Sequence, residues 1–128
     1  EYAIAAKESE AAWRLLEEAA PFSRTKADQK NLAEERLLTE LVHRTMRACE
    51  NTVRFLKARK EYEQSNDAAL KSEMKRIAQL EKENAQAAVH IYEEAPWLNL
   101  TERIDGHYSS CTEMIAEKIR WIDRFLAG

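Results

Sequence analysis

Glycine and proline are almost absent from this chain, with two of each in 128 residues and none between Phe22 and Ala95. A β-sandwich or a doubly wound sheet needs far more turn residues and β-branched runs than this, so both are excluded. Long apolar runs are missing too, and none approaches the ~18 residues needed to cross a bilayer. Charge of one sign is not concentrated anywhere: 20 basic and 23 acidic residues are interspersed to a net −3, which leaves no basic stripe for nucleic acid. Cysteine is limited to Cys49 and Cys111, 62 positions apart, a spacing that fits no metal-binding motif. No nucleophile elbow, phosphate-cradling glycine loop or His-Glu-x-x-His motif occurs. An active site contained within the chain is therefore not expected, nor is a cofactor or metal.

What the sequence has in abundance is amphipathic periodicity. Apolar residues recur every three or four positions from Asp28 to Tyr62 and again from Asp67 to Tyr92, the pattern of helices with one buried stripe. Hydrophobic residues at 45% supply a core and charged residues at 34% supply its outside. The fold class predicted is all-α, an antiparallel bundle of about four helices, two of them long, in a single domain over residues 1–128. Glu1 stands where an initiator Met would, and no basic-plus-apolar leader precedes the first helix, so the chain reads as an excised domain or a processed chain.

The first helix is expected over Tyr2–Ala20, with Pro21 at its end. Pro21–Ala27 forms a polar connection, and Asp28 is a suitable N-cap for the second helix. That helix runs to Tyr62 or Gln64, with Leu37, Leu38, Leu41, Val42, Thr45, Cys49, Thr52, Val53, Phe55, Leu56 and Tyr62 recurring at spacings of three and four as its apolar stripe. Gln64–Asp67 makes the turn, and Asp67 caps the third helix, whose stripe reads Leu70, Met74, Ile77, Leu80, Asn84, Ala88 and Ile91. Ala95–Ser110 is the irregular stretch. Ser109 or Ser110 opens the last helix, with Glu113 placed for a capping box. The outer faces look polar, with no broad apolar stripe left for a partner.

Few residues suggest chemistry. Glu40 and His43 have the Glu-x-x-His spacing of di-iron bundles, but no second pair exists, so a solvated face or a satisfied histidine is expected. Glu81 and Asn84 lie close to the apolar seam of the third helix, where polar groups either pair and fix register or face a ligand. Asn51 and Glu50 lie similarly on the second helix. Trp97, His107 and Tyr108 gather aromatic rings in the irregular stretch, where they could stack on a sugar or meet a partner surface. The expected role of Trp97 and Leu98 is to plug the open end of the bundle. Asn99-Leu100-Thr101 matches the N-glycosylation acceptor pattern. A Cys49–Cys111 disulfide is possible only if the last helix ends beside the middle of the second.

Phe55–Arg59, then Glu81–Ala85 reading Glu-x-x-Asn-Ala, then an aromatic loop and a last helix containing Lys118-Ile119, give residues 53–126 a specific likeness. This stretch resembles the C-terminal helical domain of large bacterial glycoside-hydrolase-like proteins, whose catalytic barrel precedes it. The acidic-Ser-Arg-Leu-Gly segment of that family corresponds here only to Ala95–Leu100, without its glycine. The resemblance implies a non-catalytic accessory domain in a secreted or periplasmic protein, with the third-helix polar residues and the Ala95–Ser110 loop facing a carbohydrate-active neighbour. The family's catalytic residues lie in the barrel, so none is carried onto this chain. The reading from a different class is a protein–protein interaction bundle that self-associates or binds a partner helix.

Overall fold

The structure is a computed structural model that describes residues 1–104 and 107–128, and the side chains of all of these except residues 102–104, 107 and 108. It is all-α: helix α1 spans Tyr2–Ala19, α2 Lys26–Ser65, α3 Ala68–Glu94 and α4 Cys111–Ala127. Short 3-10 turns, Ala20–Phe22 and Pro96–Leu98, follow α1 and α3. The stretch expected to be irregular contains a two-stranded antiparallel ribbon, β1 (Thr101–Ile104) and β2 (His107–Ser110), with Thr101 opposite Ser110. At 40 and 27 residues, α2 and α3 are about 60 and 40 Å long.

Caps set the helix ends. Thr25, not Asp28, begins α2. Its hydroxyl accepts the Asp28 amide at 3.0 Å while the Asp28 carboxylate accepts the Thr25 amide at 3.3 Å. Asp28 therefore supplies the third-position half of a capping box, and the helix starts one turn-length earlier than its predicted cap. Between α2 and α3 the chain reverses through Asn66, which adopts φ 53°, and Asp67 caps α3 by accepting from the Ala69 amide at 2.8 Å. Ser110 caps α4 through the predicted box with Glu113. Asn99 assists: its side-chain oxygen accepts the Thr112 amide, and its amide donates to the Thr112 hydroxyl, so the sequon asparagine is engaged in ordering the start of α4.

Each helix packs antiparallel on the next. Arg36–Glu17 and Arg47–Glu10 pairs tie α2 to α1, Arg54–Glu73 ties α2 to α3, and Lys82–Asp123 ties α4 to α3. The most continuous buried face belongs to α3: Met74, Ile77, Ala78, Glu81, Asn84, Ala85, Ala88 and Ile91. This face is wide because α2 covers one side of it and α4 the other. Alanines at 78, 85 and 88 let the backbones approach closely, and Ile77 and Ile91 are the large side chains fully enclosed among the described residues.

The second helix departs from the reading of its sequence. Its buried positions are Glu40, His43, Asn51 and Ala58, while Leu38, Val42, Val53 and Leu56 are each 40% or more exposed. Leu80 on α3, also expected in the seam, is exposed. Two stripes run along α2, and the sequence pattern merges them. The polar one meets α1 and α3 through hydrogen bonds, and the apolar one faces solvent. The expectation of wholly polar outer faces is corrected accordingly. Cys49 lies half-buried on the apolar stripe, and both cysteines are free.

Candidate functional site

Three polar arrangements occupy the interior. Glu81 of α3, nearly buried, accepts from the Asn51 amide of α2 at 2.8 Å, and its other oxygen pairs with the Lys118 ammonium of α4. One carboxylate thus bridges three helices. Both of its oxygens are engaged, which offsets the cost of burying the charge. Asn84, one turn further along α3, donates to the carbonyl of Arg44 on α2 at 2.9 Å, and its side-chain oxygen has no partner among the described residues. Glu81 and Asn84 both face inward toward α2. Of the arginines near this seam, Arg47 and Arg54 turn instead to Glu50 and Glu73.

The Glu-x-x-His pair on α2 is buried, not solvated, and its two members serve different neighbours. His43 places Nδ1 3.0 Å from the Ala6 carbonyl of α1, so that nitrogen carries the proton, and the ring stacks on Trp13 at 5.7 Å. Arg14 lies 4.2 Å over the Trp13 ring. Glu40 accepts from Arg44 at 3.1 Å and meets His90 Nε2 of α3 at 2.9 Å. His90 Nδ1 reaches Glu94, also at 2.9 Å. Burial pulls the His90 imidazole down, but bonds to Glu94 and Glu40 outweigh it and hold its pKa above the ordinary value. Among the described residues no three His, Cys, Asp or Glu side chains gather to hold a metal ion.

An apolar cleft of about 360 Å³ opens beside the Glu81 bridge, between α2, α3 and α4. Phe55, Leu56 and Ile77 form one wall and Trp121, Ile122 and Phe125 the other, with Phe55 and Phe125 in edge-to-face contact at 5.4 Å. Nothing in the sequence predicts the cleft, because it depends on α4 resting on α3 and standing off from α2. Lys118 escapes sequence reasoning for the same reason. No pattern marks one lysine of an amphipathic helix as the partner of a glutamate 37 positions earlier.

The aromatic candidates diverge. Trp97 is 57% exposed on the 3-10 turn after α3 and plugs nothing, while Leu98 is partly covered. The side chains of His107 and Tyr108 lie outside the described residues, and only their place on β2 is given. Cys111 sits near the Leu98 and Leu100 carbonyls, 3.7 and 3.6 Å away, and not near Cys49. Phe22, not singled out from the sequence, is 81% exposed and Leu100 is 63% exposed. The antiparallel order brings the end of α1, the start of α2, the end of α3 and the start of α4 to one end of the stack, where Phe22, Trp97 and Leu100 all lie. That end is stepped. The Glu40–His90 contact sets the end of α3 about one turn before Glu40, and the start of α2 projects beyond it by roughly 15 Å. Among the described residues no helix is long and apolar enough to cross a membrane.

Comparison with protein-family models, with curated proteins and with solved structures gave no match.

Proposed function

We propose that this chain is a non-catalytic helical docking domain that holds a neighbouring protein surface against the stepped end of its helix stack. The observation that carries the reading is the exposure of Phe22, Trp97 and Leu100 at that end, each more than half open to solvent. Large apolar and aromatic side chains held out at one end of a molecule mark a place where another surface is received. The interior polar groups favour a structural part for the core, since each described carboxylate there is occupied by a partner on another element or turn. The likeness of residues 53–126 to accessory domains of glycoside-hydrolase-like proteins makes the occupant, in this reading, a carbohydrate-active domain of the same polypeptide.

The test mixes the 128-residue chain with the neighbouring domain encoded in the same reading frame and follows hydrogen exchange. Protection is expected around Phe22 and Trp97–Leu100, and Phe22→Ser with Trp97→Ser should weaken association at least about tenfold. Oligosaccharides titrated into the isolated chain should leave its tryptophan fluorescence unchanged. Undiminished association of the double variant, or sugar turnover by the chain alone, overturns the reading.

A further inference from the structure

The apolar stripe of α2 has a form that specifies its occupant. Leu38, Val42, Thr45, Cys49, Thr52 and Leu56 recur at intervals of four, three, four, three and four, a coiled-coil heptad. They lie about half a turn around the helix from the buried Glu40, Asn51 and Ala58, on the side away from the α3 seam, with Thr52 and Leu56 also bordering the cleft. Leu38, Val42 and Leu56 are 40%, 51% and 48% exposed. The two threonines do not interrupt the stripe. Thr45 donates its hydroxyl to the Leu41 carbonyl and Thr52 to the Ala48 carbonyl, each at 2.8 Å, so their polar atoms are satisfied within the helix.

Charge closes the stripe at both ends with opposite signs. One heptad step before Val42 stands Glu35, with Glu34 beside it, and one step after Thr52 stands Arg59, with Lys60 beside it. The ion pairs these residues make within α2, Lys30–Glu34 at 3.9 Å and Arg59–Glu63 at 3.2 Å, are exposed and weak, so they compete little with a better partner. A stripe that is acidic at one end, apolar in the middle and basic at the other is complementary to itself when reversed.

We propose that α2 pairs antiparallel with α2 of a second copy of this chain, across a two-fold axis near Arg47. In this register Leu38 meets Leu56 of the other copy, Val42 meets Thr52, Thr45 meets Cys49, and Glu35 meets Arg59, with every layer made twice. A parallel pair would set Glu35 against Glu35 and Arg59 against Arg59, so charge selects the antiparallel arrangement. The contact from Glu35 to Arg59 is about 36 Å long and one helix wide, which places it among the smaller, reversible interfaces. This surface is separate from the end that carries Phe22 and Trp97, and the inference does not depend on what docks there.

Sedimentation equilibrium on the intact chain tests it, with circular dichroism confirming that each variant remains helical. A monomer–dimer equilibrium is expected. Glu35→Lys or Arg59→Glu alone should raise the dissociation constant about tenfold, because each reverses two symmetric contacts. The combination of Glu35→Lys with Arg59→Glu should restore it. Under mild oxidation, Thr45→Cys in a Cys111→Ser background should give a dimer cross-linked between positions 45 and 49. Leu38→Cys with Cys49→Ser and Cys111→Ser should stay uncross-linked, since the two introduced thiols are far apart in this register. A monomer at about 0.1 mM, a dimer indifferent to the charge exchange, or cross-linking of the Leu38→Cys variant overturns the proposal.

Discussion

At the scale of the residue, the molecule separates apolar groups that are buried from those that merely look as if they should be. Ile77 is 2% exposed and enclosed between α2 and α4, whereas Leu38 on α2 is 40% exposed. Ile77→Ala should cost about 2–5 kcal/mol by leaving a cavity, and Leu38→Ala below about 1 kcal/mol in dilute solution. Equal losses on urea titration would show the two stripes to be wrongly separated. The Glu81 bridge gives a second contrast. Lys118→Met leaves a buried carboxylate with only the Asn51 amide, and Glu81→Gln alongside it removes the uncompensated charge. The double variant should therefore be more stable than Lys118→Met alone, by about 1 kcal/mol once the partial exposure of Lys118 is allowed for. His90 adds a pH dependence. Its folded-state pKa is raised, so the stabilisation from Glu40 and Glu94 is complete below the unfolded value of 6.5 and is lost as pH rises through the higher folded value. The melting temperature difference between wild type and His90→Gln should accordingly shrink from acidic to alkaline pH across that window, and a constant difference would mean that the imidazolium is not what joins α2 to α3.

At the scale of the element, the sequence is most legible where local chemistry decides the outcome. The turn at Gln64–Asp67, the Asp67 cap and the Ser110–Glu113 box all follow from side chains bonding to backbone within three residues. Thr25 and Asp28 are both good caps, and only the geometry of the entering chain distinguishes the N-cap from the third helical position. Thr25→Ala should lower stability by about 1 kcal/mol, and Asp28→Ala by less, since it leaves the hydroxyl cap in place. A larger loss for Asp28→Ala in thermal melts would return the N-cap to Asp28. The buried stripe of α2 is illegible for a different reason. Glu40, His43 and Asn51 become interior only because Arg44, Ala6 and Glu81 satisfy them, and two of those three partners lie on other helices. Hydrophobic periodicity cannot register a seam sealed by hydrogen bonds.

At the scale of the whole molecule, a thin interior of alanines, a few large side chains and paired polar groups coexists with apolar surface on α2, α4 and the Phe22–Trp97 end. Unfolding such a chain exposes little new apolar area. Its heat-capacity increment in dilute solution should fall below the ~12–15 cal/mol/K per residue of ordinary domains, and should rise with concentration if copies cover each other's stripes. Calorimetry giving the ordinary value at every concentration would contradict both halves of that expectation. The sequence by itself determined the helices, most of their ends and their antiparallel order, because scarcity of glycine and proline, apolar periodicity and caps all act over a few residues. Only the tertiary structure decided which face of α2 is inside, that one carboxylate joins three helices, and that a cleft opens under α4. Those outcomes depend on which side chains meet across tens of positions in the chain, and a pattern of local spacing holds no information about who the partner is.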